Sequence, residues 1–268
     1  PMLIKQFNNK YRRIRSIMSE KNRGPGAARN LGISKAKGDF LAIMDDDDIA
    51  EPRRIEREVN QFSQYPEVDL VFSCVAWLDD NLQETNIFPG ILKERKFPEN
   101  PSEIFKCLYL STYKIPNTTI MTRKHIWDTF SYPEYPWVGE DWFLCMQLAA
   151  SGIRMKAIAQ PLVKQRRGLN RQGLLTGSRT KAFYAQKLIL KMIKEWLKEN
   201  KIHDYDHLHH LALSNQILRE SRHFIGAKGF GMIVKAFLIF PNNPKVVGQL
   251  HWYWRKLLSK LHLSKQNT

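Results

Sequence analysis

Apolar residues recur along this chain at two spacings, every second position in short runs and every third or fourth in longer ones. The switch between them marks out the elements. Ile4, Phe7 and Tyr11 sit at helical spacing within Met2 to Arg13, and Arg15 to Met18 reads as a short strand after them. Asn22-Arg23-Gly24-Pro25-Gly26 makes a loop, small residues then start a helix, and Gly38 closes it. Phe40 to Met44 is a compact apolar run bounded by that glycine. It predicts a buried strand that ends in Asp45, Asp46, Asp47 and Asp48. Pro52 suits the first turn of a helix whose apolar face carries Ile55, Val59 and Phe62, and Pro66 ends it. Val68 to Trp77 is apolar nearly throughout, as a central strand should be, with Asp79-Asp80-Asn81 as the turn beyond. Three prolines and little periodicity make Gln83 to Pro101 a loop, of the length that often faces substrate.

A helix over Pro101 to Leu110, a short strand around Thr118 to Thr122 and a helix over Lys124 to Phe130 follow. Glu140 and Asp141 begin another helix, which runs to Ser151 before Gly152. Ile153 to Ile158 reads as a last strand, and Pro161 to Arg171 leads out through Lys164, Gln165, Arg166, Arg167 and Arg171. From Ser178 onward the spacing is helical only. Leu188, Met192 and Trp196 mark a helix over Arg179 to Asn200, and Leu208, Leu211 and Leu218 a second over Asp206 to Ile225. Gly229 to Phe240 is apolar, and Pro241-Asn242-Asn243-Pro244 is a turn. The final helix sets Val247, Leu250, Trp254, Leu257, Leu258 and Leu261 against Lys245, Arg255, Lys256 and Lys260. Strands interleaved with helices, then helices alone, predict an α/β unit over 1–175 and a helical, basic, amphipathic extension over 176–268.

Composition fits a soluble globular protein, 43% hydrophobic and 25% charged, but the charge is unbalanced: 42 basic residues against 26 acidic leave +16. That excess calls for a polyanionic partner, whether nucleic acid, an anionic membrane surface or a phosphorylated substrate. No recognised RNA or DNA module accompanies it, which disfavours a nucleic-acid-binding protein. The segment Pro1 to Arg15 is polar and basic with no secretory pattern, and no stretch reaches the length of a membrane span. Aromatic anchors and leucines with a lysine rim on the last helix predict a peripheral protein on the cytoplasmic face of the inner membrane; the rival reading has that helix docked on its own domain. Cys74, Cys107 and Cys145 are odd in number and widely spaced, which predicts a reducing compartment. His203, His207, His209 and His210 lack an acidic or cysteine companion and read as ordinary surface histidines.

Two stretches carry candidate chemistry. Four adjacent carboxylates repel one another and need a cation, open water, or both; at the carboxyl end of a strand they are placed for a metal and phosphate site, otherwise for a solvated turn. Backbone amides at the helix start near Gly26 can meet an anion, with Arg29 adding a charged fork. Glu140 and Asp141 complement their helix dipole, and the flanking Trp137 and Trp142 would partly desolvate a carboxylate and raise its pKa, which suits a general base.

The sequence NRGPGAARNLGISKAKGDFLAIMDDDDIAEPRRIE resembles the central block of glycosyltransferase family 2, nucleotide-sugar-dependent enzymes of the GT-A fold. Its N-x-G loop, A-R-N helix start, G-D strand, D-x-D-D cluster and following proline match in order, and Gly139-Glu140-Asp141-Trp142 looks like the downstream E-D motif. The resemblance covers roughly Arg15 to Arg171. It implies an α/β, Rossmann-like, mixed and mostly parallel sheet flanked by helices, with the family's first strand-helix-strand segment missing ahead of Pro1 and a helical extension at the other end. It further implies an inverting transfer from a nucleotide-diphosphate sugar to a hydroxyl of a glycan or lipid-linked oligosaccharide, as in bacterial surface polysaccharide or lipopolysaccharide synthesis. Asp141 would be the general base, with Glu140 as its alternative or an acceptor ligand. Asp47 and Asp45 would hold Mg²⁺ or Mn²⁺, with Asp46 and Asp48 in support. Asp45, Asp46, Arg29, Asn22, Gly26 and Arg166 would contact the donor. The missing segment also permits a catalytically inactive, membrane-associated relative.

Overall fold

The structure is a computed structural model that describes residues 6–7, 10–11, 13–88, 97–136, 138–167, 179–224 and 227–265, without the side chains of 179–181, 227 and 256–265. Most of the expected helix over Met2 to Arg13, the last part of the basic exit including Arg171, Trp137, and the side chains of Lys256, Leu257, Leu258, Lys260 and Leu261 lie outside the described residues.

Strand β3 (Leu70–Leu78) is the centre of a mixed sheet, buried at every position but Trp77. Its alternation feeds two cores. Leu70 and Phe72 join a large apolar cluster with α3 (Pro101–Tyr109), α5 (Glu140–Ala150), α6 (Arg179–Glu199) and α7 (Leu208–Ser221), while Val71 joins Phe62 of α2 (Arg54–Gln64) in a smaller one on the other face. Each such large side chain contributes about 1.5–3 kcal/mol, so the helical face dominates. The strand order among the described residues is β1 (Phe40–Ala42), β5 (Met121–Arg123), β3, β6 (Met155–Arg166), β2 (Asp48–Ala50), with β4 (Glu84–Phe88) also on β3. Helices α1 (Pro25–Lys35) and α4 (Ile126–Thr129) complete this part. Beyond it, α7, α8 (Ala227–Ile239) and α9 (Pro244–Lys265) share a third cluster, in which Ile217, Ile233, Ala236 and Val246 are buried.

The α/β class and mixed sheet are as expected, but the parallel share is smaller: among the described pairings β3–β6 alone is parallel. Local turn chemistry and short returning strands explain this. Asp79 accepts from the amides of Asn81 and Gln83, which folds the chain back so that β4 pairs with β3 where a loop is expected. Strand β6 continues past Ile158 to Arg166 and absorbs Pro161 at a register shift opposite Cys74, where the proline's missing N–H is tolerated. Arg15 to Met18 forms no strand; Ile17 and Met18 are exposed. Helix α2 turns Arg54, Glu58 and Phe62 inward and leaves Ile55 in solvent.

Candidate active site

The acidic run forms a bridge. Strand β1 lies at one edge of the described sheet and β2 at the other, so Ile43 to Asp47 carries the chain from edge to edge. It is held beside the 3-10 turn Asn117–Thr119: Ile43 donates its amide to Ile120 O at 2.8 Å, and Asp45 donates its own to Thr118 Oγ1 at 3.3 Å. From below, the buried Arg54 guanidinium donates to Ile43 O at 2.8 Å and pairs with buried Glu58 at 3.0 Å. Asp46 and Asp47 are exposed, Asp45 and Asp48 half-buried. Gln165 Nε2 lies 3.5 Å from Asp48 Oδ2.

Arg29 ties this bridge to the second motif. From α1 it donates to Asp45 Oδ1 at 2.9 Å and to Glu140 Oε1 at 2.6 Å, 111 residues further along the chain. Its guanidinium also lies 5.3 Å from the buried Tyr132 ring centre. Burial opposes the Arg29 charge, but the bonds and fields of Asp45 and Glu140 outweigh it and hold the pKa above its usual value. Burial, then the adjacent Asp141, push the Glu140 carboxyl up, while Arg29 pulls it back. Removing Arg29 would leave the buried Glu140 carboxylate without its partner, at about 3 kcal/mol. With Glu140 occupied in this way, Asp141 is the member of the pair that lines the cleft, its Oδ1 accepting only its neighbour Trp142's amide at 2.8 Å among the described residues.

That cleft is a cavity of about 230 Å³. Asp45 contributes from the acidic bridge, Lys114 to Thr118 from the approach to β5, and Val138, Gly139, Asp141, Trp142 and Cys145 from the start of α5. Gln165 and Arg167 line it from the end of β6, and Ala182 and Gln186 wall it from α6. Gly139 caps α5 at φ +85°, a left-handed geometry that favours glycine, and any Cβ there would meet Ile189 Cγ1 at 3.3 Å.

Other expected site residues lie elsewhere. Gly26 is buried against protein, where a Cβ would come within 2.2 Å of Pro133 O, so its smallness serves packing. Asn22 is exposed and accepts the Gly24 amide at 3.0 Å, shaping the turn into α1. Arg166 is not in the cavity wall: residues along a strand alternate, and its neighbours Gln165 and Arg167 are the ones that line it. Recognising β6 as one long strand would have revealed that alternation, whereas nothing in the sequence around Lys114 or Gln186 signals a site. Carboxylate oxygens at Asp45 and Asp47 are hard donors suited to Mg²⁺ or Mn²⁺. Among the described residues no group of three or more His, Cys, Asp and Glu side chains could enclose a metal, so an ion there would need oxygens from a ligand or water.

Residues 2–130 match the family model described as Glycosyl transferase family 2. An uncharacterized glycosyltransferase of Methanocaldococcus jannaschii is 29% identical over 164 residues, covering 61% of this chain and 54% of that protein. The succinoglycan biosynthesis protein ExoO of Rhizobium meliloti is 45% identical over 49 residues, 18% of this chain and 14% of ExoO. The amylovoran biosynthesis glycosyltransferase AmsE of Erwinia amylovora is 24% identical over 149 residues, 56% of this chain and 53% of AmsE. The chain thus spans about half the length, or less, of these curated relatives. Among solved structures, residues 1–349 of Staphylococcus aureus TarS in complex with UDP-GlcNAc superpose with a TM-score of 0.58 at 14% identity, over 94% of this chain and 78% of that one. Another crystal structure of TarS 1–349 gives 0.56 at 17%, over 87% and 61%. These likenesses show a shared fold.

Proposed function

We infer the activity from one premise: the chain belongs to glycosyl transferase family 2. On it, the protein is an inverting glycosyltransferase that moves a sugar from a nucleotide-diphosphate sugar to a hydroxyl of a glycan or lipid-linked oligosaccharide. Relatives named for succinoglycan and amylovoran biosynthesis favour a surface polysaccharide as the product's destination. The observation that carries the reading is Arg29 paired with both Asp45 and Glu140, which leaves Asp141 facing the cavity.

Asp141 takes the proton from the acceptor hydroxyl as that oxygen bonds to the anomeric carbon. The bond from that carbon to the diphosphate oxygen breaks on the opposite face, its electron pair leaves with the nucleoside diphosphate, and the configuration inverts. Glu140 does not compete as base, because its carboxylate is spent on Arg29. Arg29 therefore acts by position, locking the acidic bridge to the start of α5 so that donor-side and acceptor-side carboxylates keep a fixed separation. Asp45 and Asp47 would hold Mg²⁺ or Mn²⁺, which when bound neutralises charge on the departing diphosphate. Trp142, its indole donating to Leu108 O at 2.9 Å, gives the cavity an apolar wall on which a sugar face can rest.

The same reading places the protein at an anionic membrane surface. Leu238, Trp252 and Trp254 are exposed on α8 and α9, and the same two helices carry the exposed Lys228, Lys235, Lys245 and Arg255, while Val246, Leu250 and Tyr253 pack inward. Among the described residues no helix is long and apolar enough to cross a membrane.

The test is release of nucleoside diphosphate from a panel of nucleotide sugars with Mn²⁺ and an acceptor extract, comparing wild type with Asp141→Asn. Turnover should vanish in the variant while nucleotide binding, followed by titration calorimetry, stays within about twofold. Near-normal turnover in Asp141→Asn removes Asp141 from the role, and a wild-type chain that binds none of the nucleotides is the inactive relative instead.

A further inference from the structure

Lys114 lines the same cavity as Asp141 and takes no part in the steps that Asp141, Arg29 and Glu140 perform. Buried Tyr113 and Ile115 anchor the backbone on either side of it, while its own side chain is open to the cleft. Protein nonetheless crowds it on the remaining sides. Burial lowers its pKa; Asp141 acts the other way, and Arg219 and Arg167 add to the lowering.

The two neighbouring arginines are fastened in place. Arg219 donates to Leu110 O at 2.8 Å and Ser111 O at 3.3 Å, and Arg167 donates to Gln165 Oε1 at 3.0 Å with its guanidinium 5.4 Å from the Trp77 ring centre. Lys114 makes no ion pair among the described residues. Lys114 and Arg167 line the cavity and Arg219 acts on Lys114 from beyond that lining, while of the two lining carboxylates Asp45 is already paired with Arg29 and Asp141 is left to face them. A surplus of one sign there is unfavourable until an opposite charge arrives.

If Lys114 served only to balance Asp141, the two would close into a salt bridge, and they do not. Asp45 of the acidic bridge lines the same cavity but is held by Arg29, and the carboxylate that acts on Lys114 is Asp141. Its carboxylate neighbour is the base that meets the acceptor. We propose that Lys114 recognises an oxyanion carried by the acceptor, a phosphate or a carboxylate close to the hydroxyl that Asp141 deprotonates. The acceptor is then an anionic glycan or a sugar phosphate, and the inference rests on the reading of Asp141 as base.

The test titrates three sugars by NMR into the full chain: methyl β-glucoside, neutral; methyl β-glucuronide, a carboxylate; and glucose 6-phosphate, a phosphate. UDP and GDP binding in the presence of Mn²⁺ is measured beside them. One charged sugar should bind about tenfold or more tightly than the neutral one, and which of the two does so separates phosphate from carboxylate. Lys114→Met should erase the preference with nucleotide binding kept, and Lys114→Arg should retain part of it. Equal binding of charged and neutral sugars by wild type overturns the proposal, as does a preference that survives Lys114→Met. Loss of nucleotide binding in Lys114→Met also overturns it, by assigning the lysine to the donor. Failure of wild type to bind UDP or GDP counts instead against the donor reading, because the sugar titrations do not depend on it.

Discussion

Replacing Glu58 by Gln should change how stability depends on pH, in a window the structure defines. Glu58 is fully buried, and burial pushes its carboxyl from the usual 4.5 up to about 7, against the pull of Arg54. A 3.0 Å ion pair by itself would suggest the opposite shift, but desolvating a carboxylate this deep outweighs one attraction. Because the folded state keeps this proton to higher pH than the unfolded chain does, Glu58 favours folding at low pH. That advantage falls as pH rises from about 4.5 and is gone above about 7. The gap between those values corresponds to about 3 kcal/mol. Gln keeps an oxygen for the Arg54 Nε–H and cannot ionise. Urea unfolding of wild type and Glu58→Gln at half-unit steps from pH 4.5 to 8 should give a stability difference that moves by about 3 kcal/mol in favour of the variant, after which it levels off. Other titrating groups cancel in the difference. Parallel curves across the window would refute the reasoning, since they would mean that Glu58 ionises in the folded protein as it does in water.

His209 should show the opposite slope. Burial, then Lys194 and His210, lower its pKa to about 4 against the pull of Asp206, so as pH falls from 6.5 through about 4 the unfolded chain gains a proton that the fold refuses. The His209→Gln variant should therefore gain on wild type as the pH drops through that range, by up to about 3 kcal/mol reduced by the ring's partial solvent contact; an unchanged difference would show the ring protonates freely beside Tyr109. Gly26→Ala should lower stability by about 1–2 kcal/mol, because a Cβ 2.2 Å from the Pro133 carbonyl outweighs alanine's better helix propensity. A urea midpoint at or above wild type would mean the two segments separate at little cost. Arg29→Lys should keep the fold but cut turnover by about 100-fold, as one ammonium cannot span both Asp45 and Glu140; undiminished turnover would show that the bridge needs no such lock.

Glu140 and Asp141 illustrate how the site divides between sequence and structure. Their place at the start of a helix was legible, because acidic residues after a glycine suit a helix N-terminus. Which of the two lines the cavity was not legible in the local pattern, and only the resemblance singled out Asp141, because the outcome depends on Arg29 arriving from a helix 111 residues earlier. Helix α2 shows the same limit. Periodicity favours an inward Ile55, yet the Ile43 carbonyl at the end of the apolar run needs a donor, and the register that brings Arg54 to it carries Glu58 inside.

On its own, the sequence determined the α/β class, the order of most elements, the acidic turn after a short strand and the amphipathic end, since those follow from spacing, caps and turn residues within one segment. Only the tertiary structure decided that the acidic run bridges the two edges of the described sheet, that β6 offers Gln165 and Arg167 rather than Arg166 to the cavity, and that α6 supplies its far wall. These are contacts between segments distant in sequence, fixed by strand register and by where buried charges find partners, and neither quantity is written in any local pattern.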